Sequence, residues 1–129
     1  MRKTKGPILV VEDEHALNEA YQIILTKAGY DVDIAFDGEE ALEKVSEKLP
    51  ALILLDLRMP RLDGIGFLRE LELLKHHPKL RVIIFSNYDM QKEIDEAYRL
   101  GAERYILKAW ASPKELLQVV KDALHKPVK

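Results

Sequence analysis

Glu12, Asp13, Asp56, Ser86 and Lys108 are the residues best placed to do chemistry, because each follows directly on a short apolar run or its neighbour. Three carboxylates brought into one crevice repel, so either a pKa rises or a cation sits among them. Oxygen-only ligands favour a hard ion, Mg²⁺ first, with water completing its octahedron, and Mn²⁺ as the alternative. A carboxylate beside such an ion can attack a phosphoryl group and form an acyl phosphate. Phosphoryl transfer asks a protein mainly for positioning and for neutralising charge on the equatorial oxygens. The metal can take one oxygen, the Lys108 ammonium another, and the Ser86 hydroxyl can donate to a third.

Positioning these groups requires the ends of several strands to meet. Five apolar runs, at 7–11, 31–35, 51–55, 81–85 and 104–107, alternate with segments of helical period. The first, third and fourth runs are almost unbroken Ile, Leu, Val and Phe, as strands covered on both faces are. Asp31-Val32-Asp33-Ile34-Ala35 alternates, and the fifth run is short with a charge at its start, so both read as edge strands. Regular β–α alternation predicts an α/β fold with a parallel sheet and helices on both faces. In such sheets ligands bind outside the carboxyl ends of the strands, where the strand order reverses.

Helix punctuation fits the same parsing. Leu17, Ala20, Tyr21, Ile24 and Ala28 make one stripe, stopped by Gly29. Asp37 with Glu40 reads as a capping box for a second helix ending before Pro50. Asp63 caps a third helix with a core face of Phe67, Leu68, Leu71 and Leu74. Met90, Ile94, Ala97 and Leu100 line a fourth, ended by Gly101. Ser112-Pro113-Lys114-Glu115 opens the fifth with a capping serine, proline at the first helical position and glutamate at the third.

The segment Leu55-Asp56-Leu57-Arg58-Met59-Pro60-Arg61-Leu62-Asp63-Gly64 resembles the phosphorylation-site segment of response-regulator receiver domains, the chemotaxis-regulator-like modules of two-component signalling. The resemblance extends through Val10-Val11-Glu12-Asp13-Glu14, Ser86, Gly101-Ala102-Glu103-Arg104-Tyr105 and Lys108, so it covers essentially the whole chain. It implies a flavodoxin-like (βα)5 three-layer sandwich with strand order 2-1-3-4-5. It implies one receiver domain over residues 1–129, with an ordered core of about 7–125. Asp56 would accept phosphate from a sensor histidine kinase or a histidine phosphotransfer protein and pass the signal to an output protein. Glu12 (through water), Asp13, Asp56 and the Arg58 backbone carbonyl would hold Mg²⁺, and Ser86 with Tyr105 would form a switch pair.

Some positions depart from the family pattern. Its lysine is usually followed by a cis proline, whereas Lys108 precedes Ala109. A non-proline cis bond costs roughly 2.5–4 kcal/mol, so a trans peptide and a different loop path are expected. Trp110 follows close to the site with no family role. Asn87 and Tyr88 replace a small residue and its neighbour after Ser86, and Arg58 offers a cation beside the phosphate. These three positions are expected to tune how long the phosphate lasts.

Blander readings apply to single residues. Glu12 and Asp13 alone read as acids at a helix start, Asp56 and Ser86 as caps, Lys108 as a solvated lysine and Tyr105 as edge-strand packing. Their conjunction at the strand ends favours the site. His15, His76, His77 and His125 have no ligand spacing and read as surface residues.

Composition removes other classes. Lys and Arg number 20 against 22 for Asp and Glu, a net charge of −2, which leaves no basic footprint for nucleic acid or an anionic membrane. There is no cysteine, so disulfides, thiolate metal sites and cysteine nucleophiles are excluded. No apolar run spans a bilayer. A soluble cytoplasmic protein is expected, acting on itself and not as a turnover enzyme. Two alternatives stand beside the phospho-acceptor. One is a pseudo-receiver that binds partners without phosphorylation. The other is an aspartyl-phosphate phosphohydrolase, which commonly has a second acid where this chain has Arg58. No glycine-rich phosphate loop follows the first strand.

Overall fold

A computed structural model describes residues 7–87, 90–110 and 112–125, apart from the side chains of Leu74 and Trp110. Five strands form one sheet: β1 (Pro7–Val11), β2 (Asp31–Ala35), β3 (Leu52–Leu55), β4 (Arg81–Ser86) and β5 (Arg104–Leu107). All neighbours are parallel and the order is β2-β1-β3-β4-β5. The flavodoxin-like α/β architecture is therefore the one expected.

Alternation along the central strands sends their side chains into two separate cores. Leu9, Val11, Ile53, Leu55, Val82 and Ile84 face a cluster closed by helices α2 (Gly38–Glu47), α3 (Gly64–Leu71) and α5 (Gln91–Arg99). Ile8, Val10, Leu52, Leu54, Ile83 and Phe85 face the other, closed by α1 (His15–Lys27) and α6 (Pro113–His125). Each layer contributes a buried aromatic ring, Phe67 on one side and Phe85 on the other. The β2 edge carries exposed Asp31 and Asp33, paired with Lys48 at 3.0 Å and Lys44 at 3.3 Å. Charge on an edge strand discourages pairing with another chain.

The caps take the form the sequence predicts, with one variation. The Glu40 N–H donates to Asp37 Oδ1 at 2.8 Å, but Glu40 Oε1 accepts from the Phe36 N–H, one residue before the cap. Asp63 Oδ1 accepts from the Gly66 N–H at 2.8 Å. At α6 the box is reciprocal, Glu115 N–H to Ser112 Oγ at 3.2 Å and Ser112 N–H to Glu115 Oε1 at 3.1 Å. Ser112→Ala is therefore expected to destabilise the protein by about 1 kcal/mol in urea unfolding, with Glu115→Ala giving a smaller loss. Gly29 and Gly101 take φ values of 98° and 113° at their helix ends, the left-handed conformation that stops a helix.

Two expected core positions are corrected, and one expected helix is divided. Ala28 is the C-cap of α1 and is exposed, while Leu25 is fully buried in its place. Met90 is the extended N-cap of α5 and 55% exposed, because the helix starts one residue later and its apolar face begins at Ile94. The third helix is interrupted at Glu72, which adopts a left-handed φ of 49°, and a short turn α4 (Leu73–His76) follows. An unbroken helix would put Leu71 and Leu73 on nearly opposite faces. The break lets both reach the core, at 5% and 2% exposure. The Leu74 side chain expected there lies outside the described residues. Among the described residues no helix is long and apolar enough to cross a membrane.

Candidate functional site

Register brings the strand ends to one rim. Val11 pairs with Leu55, and Ser86 with Leu107, so Glu12 and Asp56 leave neighbouring strands at one level while Lys108 comes one residue past the level of Ser86. The Asp56 N–H donates to the Val11 carbonyl at 3.0 Å and the Glu12 N–H to the Ala35 carbonyl at 3.1 Å, carrying the backbone ladder past the strands. Strand order reverses between β1 and β3, and the crevice opens there.

Within that crevice one oxygen from each of Glu12, Asp13 and Asp56 lies within 4.8 Å of the other two. Lys108 Nζ sits 2.6 Å from Glu12 Oε1 and 3.4 Å from Asp56 Oδ2, with all three side chains nearly buried. Burial pushes the Glu12 carboxyl up, against the pull of its hydrogen bond from Lys108, and the neighbouring Asp56 charge adds to the rise. Asp56 is likewise raised by burial, with the Lys108 charge opposing. Burial alone would lower Lys108, but its bond to Glu12 and the charge of Asp56 hold it above the ordinary lysine value. Three carboxylates against one ammonium leave the crevice short of positive charge.

The donor set fits a small, hard dication. Octahedral oxygens around Mg²⁺ stand about 3–4 Å apart, a spacing these carboxylates reach with small side-chain movements. Every donor is oxygen, and neither cysteine nor histidine intrudes.

Several pieces hold Asp56 in place. The Gly64 N–H donates to the Leu57 carbonyl at 3.0 Å, and a Cβ on Gly64 would lie 2.6 Å from the Asp56 carbonyl oxygen. Arg61, at a left-handed φ of 63°, grips the nearly buried Asp37 carboxylate, with Nε to Oδ2 at 2.8 Å. The Gly38 N–H donates to the Leu62 carbonyl at 2.8 Å, so the loop after β3 is fastened to the start of α2. Burial opposes ionisation of Asp37, yet the Glu40 N–H and the Arg61 guanidinium hold its pKa below the usual value.

Ser86 is fully buried at the end of β4. Tyr105 is half-buried, pairs in register with Ile84 and packs on the α2–α3–α5 core, the side to which Ser86 also points by alternation. Both expected switch residues thus share one face of the sheet. The Arg58 guanidinium bonds the Glu93 carboxylate of α5 at 3.0 Å, while its backbone N–H approaches Asp56 Oδ1 at 3.5 Å. Asn87 is exposed, and Tyr88 lies outside the described residues. Lys108–Trp110 form a single 3₁₀ turn, with no cis peptide among the described residues. Beside Lys108 a cleft of about 380 Å³ opens between α1 and the start of α6, lined by Leu17, Tyr21, Asn87, Ala109 and Pro113 among others.

The sequence reading missed two contributors. Arg61 had no assigned role, since an exposed arginine in a loop carries no pairing signal. Asn18 is completely buried in α1, and its Nδ2 donates to the Glu12 carbonyl at 2.9 Å and the Ala35 carbonyl at 3.1 Å. Its neighbours Leu17 and Glu19 disguise it as a solvent-facing residue.

Comparison with known proteins agrees with this geometry. Residues 8–121 match the family model of the response regulator receiver domain. The chain is 39% identical over 122 residues to the probable transcriptional regulator ycf27 of Porphyridium aerugineum, covering 95% of this chain and 49% of that protein. It is 39% identical over 121 residues to the alkaline phosphatase synthesis transcriptional regulatory protein PhoP of Bacillus subtilis, covering 92% and 48%. The chain thus spans about half the length of these relatives. The crystal structure of a CheY-like response regulator receiver domain protein from Methanospirillum hungatei superposes with a TM-score of 0.85 at 30% identity, over 92% of each chain. The chain belongs to the response-regulator receiver domain family.

Proposed function

We propose that the protein is the phospho-acceptor of a two-component phosphorelay, phosphorylated on Asp56 with Mg²⁺ and switching a partner-binding face. The observation that carries this reading is the oxygen cluster of Glu12, Asp13 and Asp56 with Lys108 lodged between two of its members. Glu12, Asp13, Asp56 and the Arg58 backbone carbonyl would hold the cation. When bound, the cation neutralises the acids and the phosphoryl oxygens. An Asp56 carboxylate oxygen attacks phosphorus, the N–P bond of a phosphohistidine breaks, and the imidazole leaves with the bonding pair. Lys108, already within reach of Asp56 Oδ2, turns its ammonium from Glu12 to the phosphoryl oxygens. The Ser86 hydroxyl donates to another, and Tyr105 follows into the space it vacates, altering the face around α5 and β5.

The donor would be a sensor histidine kinase or histidine phosphotransfer protein. The output would be a separate or attached effector, in keeping with relatives named as transcriptional regulators. The protein would act in the cytoplasm, change only itself and turn over no free substrate. With Mg²⁺ and a small acyl-phosphate donor, wild type is expected to gain one phosphoryl group by intact mass, and Asp56→Asn none. A wild type that gains nothing, and shows no metal-dependent response to fluoroberyllate, would replace this reading with a phosphorylation-independent binding module.

A further inference from the structure

Asn18 stands where a core aliphatic residue would be expected. It lies seven residues before Leu25, two helical turns along the same face of α1, and these two are the fully buried residues of that helix. A buried polar side chain is retained at a desolvation penalty unless its hydrogen bonds repay it. Here they do so only in part, since both amide hydrogens are used while Oδ1 has no hydrogen-bond partner among the described residues. The two carbonyl acceptors fix which way the amide points. What the side chain provides is therefore its pair of donors, aimed at two backbone carbonyls.

Those carbonyls belong to the residues that end β1 and β2 at the site. The Ala35 carbonyl also accepts the Glu12 N–H, so Asn18 and Ala35 together grip Glu12 on both sides of its residue. Glu12 is where the chain leaves the sheet, and Asp13 follows it directly. The Glu12 side chain turns back to accept from the Glu14 N–H at 3.1 Å. We infer that Asn18 is a positioning residue for the cation site, setting the angle at which Glu12 and Asp13 present their carboxylates to Asp56.

This inference rests on the reading of Glu12, Asp13 and Asp56 as a divalent-cation site, and its test separates the two. Groups that orient metal ligands typically contribute about 10–100-fold in affinity. Mn²⁺ binding is measured directly, by loss of the free-ion paramagnetic resonance signal, in wild type, Asn18→Leu, Asn18→Ser and Val120→Ala. Asn18→Leu fills the volume without donors, and Asn18→Ser keeps a single donor should the leucine variant fail to fold. Val120→Ala opens a cavity in the core under α1 and α6 at a residue that bonds none of the acids, and controls for lost stability alone. The dissociation constant is expected to rise about 10-fold or more in the Asn18 variants at a temperature where all are folded, and to stay unchanged in Val120→Ala. Equal affinity in wild type and the Asn18 variants would overturn the positioning role while leaving the cation site standing. An equal loss in Val120→Ala would overturn it as well, by showing that stability alone sets the affinity. Wild type that binds no Mn²⁺ would overturn the cation site itself.

Discussion

Gly64→Ala is expected to destabilise the protein by about 3 kcal/mol and to suppress both cation binding and phosphoryl uptake. A Cβ at this position would meet the Asp56 carbonyl oxygen at 2.6 Å, Leu57 Cδ2 at 2.7 Å and Leu57 Cα at 2.8 Å. Two of the three are backbone atoms, which cannot rotate aside as the tip of a side chain can. Either α3 retreats from the strand end or Asp56 is pushed out of line, and the Gly64-to-Leu57 hydrogen bond is strained in both cases. Gly29→Ala is the contrast. Nothing lies within 4 Å of its Cβ, so only the left-handed φ of 98° is penalised, at about 1 kcal/mol, and cation binding stays intact. Chemical denaturation with parallel Mn²⁺ titration checks both, and a Gly64→Ala protein that binds and unfolds like wild type would refute the account of the loop.

In metal-free buffer the protein is expected to lose stability as pH rises above about 4, and Mg²⁺ is expected to restore it near neutrality. The sign follows from Glu12 and Asp56, whose pKa values are raised on folding, chiefly by burial. A group that holds its proton more tightly when folded adds stability below its unfolded pKa and loses it as pH passes through the folded value. Lys108 works in the other sense over a higher range. Its raised pKa favours the folded state until the ammonium is deprotonated in strong alkali. Asp37, held low by its cap bond and Arg61 against the effect of burial, favours the folded state above its unfolded pKa and is lost in acid. The profile near neutrality is thus governed by the crowded acids. Asp56→Asn removes one of them, and should raise the metal-free melting temperature by roughly 4–8 °C, about 1–2 kcal/mol for a chain of this length, while abolishing most of the Mg²⁺ effect. Thermal melts from pH 5 to 8 with and without Mg²⁺ give the answer. A wild type whose melting temperature climbs across that range without metal would refute it.

Much of this molecule was legible because its central strands are built almost entirely of branched aliphatic residues. Pro7–Val11, Leu52–Leu55 and Arg81–Ser86 fall within a residue of their expected limits, and the polar residue closing each apolar run marks its carboxyl end. The acids, Ser86 and Lys108 could be placed together for that reason. Caps were equally readable, since Ser112 and Glu115 make local bonds that owe nothing to tertiary packing. What escaped depends on partners distant in sequence. The Arg61 grip on Asp37 spans 24 residues and the Arg58 bridge to Glu93 spans 35, and neither has a local pattern. The break at Glu72 comes from two leucines competing for one core, which a periodic stripe cannot express. Asn18 was hidden because helical periodicity sorts residues by polarity, and a polar residue on the buried face looks misplaced until its acceptors are known.

The uniform aliphatic make-up of the strands also bears on how the sheet finds its alignment. Leu52 to Leu55 alternate between two cores that are both hydrocarbon, so a slip of β3 by one residue exchanges leucine and isoleucine with little loss of burial. The slip is opposed at the strand's end. Drawing Asp56 one step inward would set its carboxylate in the place of Leu55, between Val11 and Ile84, with no counter-charge at hand. Glu12 and Ser86 would resist the same displacement of β1 and β4. The polar rim therefore acts as a set of stops that fix the strands lengthwise, and a variant with all of its acids neutralised would have the least reason to choose one alignment over the next.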